Sequence, residues 1–283
     1  MLRELPRLRQ EERNRLLRRL RVALEKDARV RAVWLQGSCA RGATDALSDL
    51  DLVVVVSDEA MNTVAGDPAK PTDYRHVLNS PRGIWVAQVA EPPLLLLEAP
   101  QNAPTGGAFL TSFIRGEAGP QQVDWEWLPQ STACRPLETR LLFDRARTPC
   151  ETEPPEAGQP GPAPDRTPFE VAAHAVPWFW ATLMWNAKHA ARSPSDSHMP
   201  MLGQTQGAVQ DVEMFLDPDM SVAVAKPVPE HPEDRLRILR DLIERMQRLA
   251  SRPSPLFVGM PSDLAPQARQ FLWLAEAIMH RDV

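Results

Sequence analysis

From Leu50 to Val56 the chain reads Leu-Asp-Leu-Val-Val-Val-Val, a run too apolar and β-branched to lie at a wet surface. Such a run fits a central strand, covered on both faces. A second apolar run, Val30 to Leu35, comes just before it and ends at Gln36-Gly37-Ser38. Ten residues, 39–48, separate Ser38 from Asp49. Glycine lets a backbone approach a ligand closely, and serine adds a hydroxyl. A short helix after Gly-Ser would aim its N-terminal N–H groups at an anion. Asp49 and Asp51 sit two apart at the start of the apolar strand, and period-two geometry puts both carboxylates on one face. Two such neighbours repel unless a cation neutralises them, and oxygen ligands suit Mg²⁺ shared with nucleotide phosphates. One segment thus offers a phosphate cradle and a metal clamp, the parts needed for phosphoryl or nucleotidyl transfer.

The rest of the chain divides in texture. Residues 8 to 27 read as an amphipathic helix, with Leu16, Leu17, Leu20 and Leu24 at helical spacing. Ile84 to Val89 and Leu94 to Glu98 read as strands. Ala108 to Ile114 and Gln122 to Leu128 read as a hairpin about a glycine-containing turn. Residues 148–168 hold seven prolines and two glycines, the composition of an extended linker. Beyond it, Phe169 to Arg192, Met201 to Leu216, Pro232 to Arg252 and Leu264 to His280 have helical periodicity, and four such segments suggest a bundle. The expected domains are therefore 1–147, the linker 148–168 and a helical domain 169–283.

Net charge is −5, so no global basic field exists to hold a long polyanion, which argues against nucleic acid as the substrate. The C-terminal half carries Asp211, Glu213, Asp217 and Asp219, which could attract the ammonium groups of a small cationic acceptor. Three cysteines without zinc-ligand spacing, and an Arg-rich N-terminus without an apolar signal core, lead to the expectation of a cytoplasmic protein. No apolar run is long enough to span a membrane.

The pattern of strand, Gly-Ser, ten residues, Asp-x-Asp and strand resembles the signature of the DNA polymerase β-like nucleotidyltransferases. The form Gly-Ser-x-Ala-Arg-Gly…Ser-Asp-Leu-Asp-Leu looks most like their small-molecule branch, which includes the aminoglycoside and lincosamide adenylyltransferases and the minimal nucleotidyltransferases of toxin–antitoxin pairs. The resemblance is strong over residues 30–56 and only architectural past the linker. It implies an α/β (α+β) nucleotidyltransferase domain with a small mixed sheet, followed by an all-α helical-bundle domain. It also implies AMP transfer from ATP, or from another nucleoside triphosphate, to the hydroxyl of a small antibiotic-like molecule, with Mg²⁺ on Asp49 and Asp51.

Gly37 and Ser38 would then anchor the triphosphate, with Arg41 as a helper. The family has a third carboxylate on a neighbouring strand, as metal ligand or as base for the acceptor. In Val123-Asp124-Trp125-Glu126-Trp127 both Asp124 and Glu126 fall on one strand face; Asp124 resembles the family position more closely, and Glu126 could replace or assist it. The stretch Trp180-x4-Trp185-Asn186-x-Lys188-His189-x2-Arg192 resembles a second-domain helix whose lysine reaches the triphosphate, which marks Lys188. Other readings stand beside this one: a nucleotidyltransferase-like antitoxin or regulator acting on a partner protein, an RNA-acting nucleotidyltransferase, or a silent nucleotide sensor.

Overall fold

The computed structural model describes residues 4–66, 74–151, 166–192, 200–219, 229 and 231–280. Most of the proline-rich stretch 148–168 lies outside the described residues. The chain divides into two compact units. One comprises Gln10–Arg115 and Gln121–Ala163; the other comprises Met1–Arg9, Gly116–Pro120 and Pro164–Val283.

The first unit is built on a six-stranded mixed sheet. Helix α1 (Leu5–Lys26) leads into β1 (Val30–Leu35), the single-turn α2 (Gly37–Arg41) and β2 (Leu50–Val56). Short helices α3 (Met61–Val64), α4 (Tyr74–Asn79) and α5 (Pro81–Ala90) precede β3 (Leu95–Glu98), β4 (Ala108–Ile114) and β5 (Gln121–Pro129). A two-residue bridge, β6 (Arg135–Pro136), pairs with β8 (Cys150–Glu151), and between them β7 (Arg140–Asp144) closes the main sheet. The sheet order is β3-β4-β5-β2-β1-β7. The Leu50–Val56 run is an interior strand, as its composition requires. It lies antiparallel to β1 and parallel to β5.

The two sheet faces differ. One buries Leu50, Leu52, Val54, Val56, Val123, Trp125 and Trp127 against Leu16, Leu20 and Leu24 of α1 and Trp85 and Val86 of α5. The other holds a smaller apolar cluster of Ala32, Trp34, Val53, Val55, Leu128 and Ala133. A register shift between Val30 and Ala32 lets Val30 and Val33 share the larger core although they are three residues apart.

One element departs from the sequence expectation. Ile84 to Val89 is not a strand but lies inside α5. Ser80 caps this helix, accepting a hydrogen bond from the Gly83 N–H, and Pro81 occupies its first turn. A six-residue apolar run has no period that separates helix from strand, so the cap decides it. The run Leu94 to Glu98 does form a strand, β3, paired with β4.

In the second unit, α6 (Pro168–Arg192) packs most extensively against α7 (Pro200–Leu216) and also touches α8 (Pro232–Ala250) and α9 (Leu264–Met279). Inside it, the buried Thr182 and Thr205 hydroxyls lie 2.9 Å apart, and Asn186 Nδ2 donates to Thr205 Oγ1 at 2.8 Å. The turn Gly116–Pro120 and the start of α1 belong to this unit. There the buried Arg9 guanidinium donates to the Gly119 carbonyl at 2.7 Å and sits 5.0 Å from the Phe271 ring centroid. Gly119 has φ +91°, and a Cβ on it would lie 2.9 Å from the Phe271 backbone nitrogen, so no other residue fits without strain. No helix among the described residues is long and apolar enough to cross a membrane.

Asp27 ties the end of α1 to α5. Its carboxylate accepts from Arg29 N, Nε and Nη2 at 3.0, 2.9 and 2.7 Å and from Trp85 Nε1 at 2.9 Å. The Arg29 hydrogen bonds hold its pKa down at about 2, against the opposing effect of burial. A depressed carboxylate pKa adds stability that is present above the unfolded value and is lost as pH falls through the folded one. Asp27→Asn is expected to cost about 1 to 2 kcal/mol at pH 7. In urea titrations that cost should shrink between pH 4 and pH 2; an equal cost at both ends would remove the electrostatic explanation.

Candidate active site

The sheet's second face carries the polar residues that the sequence singles out. Backbone register sets them in rows. Asp51 of β2 lies opposite Asp124 of β5, which lies opposite Thr111 of β4. Gln36 joins this row from the end of β1, its N–H donating to the Asp51 carbonyl at 2.9 Å. One step along, Trp34, Val53, Glu126 and Phe109 form the next row. A cavity of about 310 Å³ opens on both rows, and its lining includes Gln36, Gly37, Asp51, Phe109, Asp124 and Glu126.

The Gly-Ser turn is fitted to this row. Gly37 has φ +61°, and a Cβ on it would fall 2.2 Å from Asp51 Oδ2. Only glycine lets the backbone come so near the carboxylate. Helix α2 begins here and ends after five residues at Gly42, whose φ is +72°. So short a helix carries little macrodipole, and any phosphate contact would rest on its individual N–H groups and the Ser38 hydroxyl. Cys39 Sγ, buried, donates to the Asp49 carbonyl at 3.1 Å and so ties the turn to the start of β2. The loop between them is held from α1: the buried Arg13 donates to the carbonyls of Asp45 and Ser48 at 2.6 and 3.2 Å.

The carboxylates share a strained electrostatic setting. Burial, the charge of Asp49 and then that of Asp51 push the Asp124 pKa well above the ordinary carboxylate range. Against them work the donors that hold its charged form, Gln122 Nε2 at 3.0 Å to both oxygens and Thr111 Oγ1 at 2.8 Å. Glu126 is pushed up to about 7, first by burial and also by Asp51, while Gln36 Nε2, 3.4 Å from Glu126 Oε2, opposes the shift. Among the described residues, no three His, Cys, Asp or Glu side chains close on one point as a finished metal-ligand set. The donor set is nonetheless the right chemistry for a hard cation: carboxylate oxygens, mutually repelling, beside a cavity with no basic residue among the described residues that line it.

The structure thus brings together Gly37, Asp51, Asp124 and Glu126 around one cavity, with Asp49 close enough to act on Asp124. Ser38 is half-buried in α2, and Arg41 ends that helix exposed to solvent. Lys188 is half-buried on α6, in the other unit. Glu213 of α7 does not offer a spare charge for an acceptor, because it is ion-paired with Arg245 of α8. Gln36, Thr111, Gln122 and Phe109 are the neighbours that the sequence alone does not single out. Gln122 is the one within its reach, since it sits two residues before Asp124 and so on the same face.

Residues 17–76 match the nucleotidyltransferase domain family. The matched stretch contains β1, the Gly-Ser turn and the whole of β2, so the chain carries a nucleotidyltransferase domain, whose reaction class is nucleotidyl transfer. No curated protein matches the chain in sequence. The structure of a STING-associated CdnE c-di-GMP synthase from Capnocytophaga granulosa aligns over 96% of this chain and 80% of that one. The two are 10% identical, with a TM-score of 0.26.

A carboxyl whose folded pKa is raised favours folding most below its unfolded value, near pH 4, and loses that contribution as pH rises through about 7. Glu126→Gln removes the charge that burial penalises. In EDTA at pH 8 it is expected to raise the thermal midpoint, by more than about 1 kcal/mol in stability, and at pH 4 to leave it unchanged. A loss of stability at pH 8 would contradict the raised pKa.

Proposed function

We propose that the chain transfers a nucleoside monophosphate, AMP from ATP, to a hydroxyl of a small molecule, with Mg²⁺ as its metal and the second sheet face as its active site. The observation that carries this reading is the Gly37–Asp51–Asp124 arrangement: a glycine fitted against one carboxylate, and a second carboxylate directly opposite it on a parallel strand. Magnesium is commonly held by one or two carboxylates completed by substrate phosphates. An incomplete ligand set beside an open cavity is therefore compatible with it. Asp49, Asp51 and Asp124 are the residues that would hold the metal. When bound, Mg²⁺ supplies charge neutralisation for the phosphate oxygens.

In this mechanism the backbone N–H groups after Gly37 and the Ser38 hydroxyl bind the triphosphate, and exposed Arg41 adds charge to its outer end. The acceptor hydroxyl oxygen bonds to the α-phosphorus as the bond from that phosphorus to the pyrophosphate oxygen breaks. Asp124 takes the hydroxyl proton. Thr111 and Gln122 fix the carboxylate for that task. The register supports Asp124 over Glu126 for this role, because Asp124 faces Asp51 and Glu126 faces Val53. A net-acidic chain and a cavity with no basic residue among its described lining residues support a small acceptor over a polynucleotide.

The test is incubation with ATP, Mg²⁺ and a panel of hydroxylated small molecules, with products read by mass spectrometry. An adduct of one AMP on one acceptor, with pyrophosphate released, is expected. Asp49→Asn and Asp51→Asn should each lower turnover by on the order of 10²-fold or more while the thermal midpoint does not fall. Near-normal turnover in both variants would sink the two-carboxylate mechanism. Extension of RNA 3′ ends with every small acceptor inert would overturn the acceptor class.

A further inference from the structure

Strand β7 brings to the edge of the sheet a cation that the transfer chemistry leaves unused. It runs antiparallel beside β1, and its first residue, Arg140, stands opposite Leu35, one position before Gln36 and the Gly-Ser turn. The end of β1 and the starts of β2 and β7 thus share one edge, in the strand order β5-β2-β1-β7. Asp124 and Asp51 belong to the first two of these strands, Gly37-Ser38 follows the third, and Arg140 begins the fourth. Neighbouring strands lie about 4.8 Å apart, so the Asp51 and Arg140 backbones are separated by roughly 10 Å across the Gly-Ser turn.

Directly opposite residues point to the same sheet face. Leu35 belongs to the larger core, as does Cys39 of α2, so Arg140 lies on the side where α2 packs, and the two elements touch. The buried Cys39 thiol registers the charges that meet there. Burial pushes its pKa up, Arg13 and Arg140 pull it down, and Asp51 and Asp49 add to the rise. The Arg140 charge therefore reaches the residue that follows Ser38. Arg140 is exposed, and among the described residues it has no ion-pair or hydrogen-bond partner. It also lies outside the family match at 17–76. No lysine or arginine is among the described residues that line the cavity, so the negative tail of a nucleotide reacting at the Asp51–Asp124 row must find its cation beyond it. Gly37 leaves the way open, since a Cβ there would meet Asp51, and a tail that crosses the edge at this point arrives beside Arg140. Resting on the transfer reading above, we infer that Arg140 binds the terminal phosphate of the nucleotide and stays with the departing pyrophosphate, which makes it the residue that selects triphosphates over diphosphates in this chain. A guanidinium fork matches a phosphate bidentately, as an ammonium does not.

The experiment uses the full chain with Mg²⁺ and two non-hydrolysable probes, α,β-methylene-ATP and α,β-methylene-ADP. Calorimetry is expected to show the triphosphate bound about tenfold or more tightly, the scale of one hydrogen bond between charged groups. Arg140→Gln should bring the two probes within about threefold of each other by weakening the triphosphate alone, and Arg140→Lys should keep part of the preference. The thermal midpoint of both variants should not move, because the side chain is exposed. No preference in the unaltered protein, or a preference that survives Arg140→Gln, overturns the inference. So does an equal loss of affinity for both probes, which would make Arg140 a source of general field and not a contact to the last phosphate. Turnover with ATP and the panel of hydroxylated acceptors separates the two readings. An Arg140-dependent preference without any AMP adduct supports the phosphate contact and counts against the transfer reaction. AMP transfer by a protein whose preference Arg140→Gln leaves untouched supports the reaction and overturns the role of Arg140.

Discussion

The parallel pairing of β2 with β5 is the constraint on which the site depends. It sets Asp51 against Asp124 and Val53 against Glu126. A slip of one residue would turn Trp125 toward the cavity and Asp124 into the core. What forbids the slip lies on the opposite face, where Trp125 and Trp127 are fully buried with Trp85 of α5, at ring-centroid distances of 5.7 and 5.8 Å. The carboxylates are held in place by the aromatic residues that alternate with them along β5. The chemistry of one face is thus fixed by the packing of the other.

Much of this is legible in the sequence, for identifiable reasons. Leu50 to Val56 has a composition that only an interior strand accommodates, and its bounds are those of β2. The alternation Val123-Asp124-Trp125-Glu126-Trp127 assigns each side chain to a face by its period of two alone. Ala108 to Ile114 and Gln122 to Leu128 form the expected hairpin, and the four C-terminal helices lie within two residues of their periodic segments. The run Ile84 to Val89 is not legible, because its apolar residues fit either period and the deciding contact, the Ser80 cap, sits outside it. Strand β7 escapes for the opposite reason. Arg140-Leu-Leu-Phe-Asp144 is a short, half-exposed edge, and pairing with β1 defines it more than its own residues do.

The site's neighbours divide in the same way. Period two points to Asp51, Asp124 and Glu126 locally. The partnership of Gln36 with Glu126 spans 90 positions in the chain, and that of Thr111 with Asp124 depends on the β4–β5 register. Such pairings belong to tertiary structure, and no spacing rule reaches them. The acidic residues of the C-terminal half show the converse risk. Glu213 looks available as a bare letter, but its partner Arg245 lies on a different helix.

The tryptophans behind β5 have an optical consequence. Trp125 and Trp127 are stacked at 6.2 Å with their planes 14° apart, and Trp85 meets both edge-on. Indoles so close and so fixed share their excited states, and a shared transition splits into a circular-dichroism couplet whose shape depends on the angle between the rings. Each of the two stacked rings is one residue from a carboxylate of the site, Asp124 or Glu126. Any ligand that draws on those carboxylates must tug the same strand. The protein thus carries a native chromophore on the dry side of the sheet, whose near-ultraviolet signal would register events on the wet side without a label.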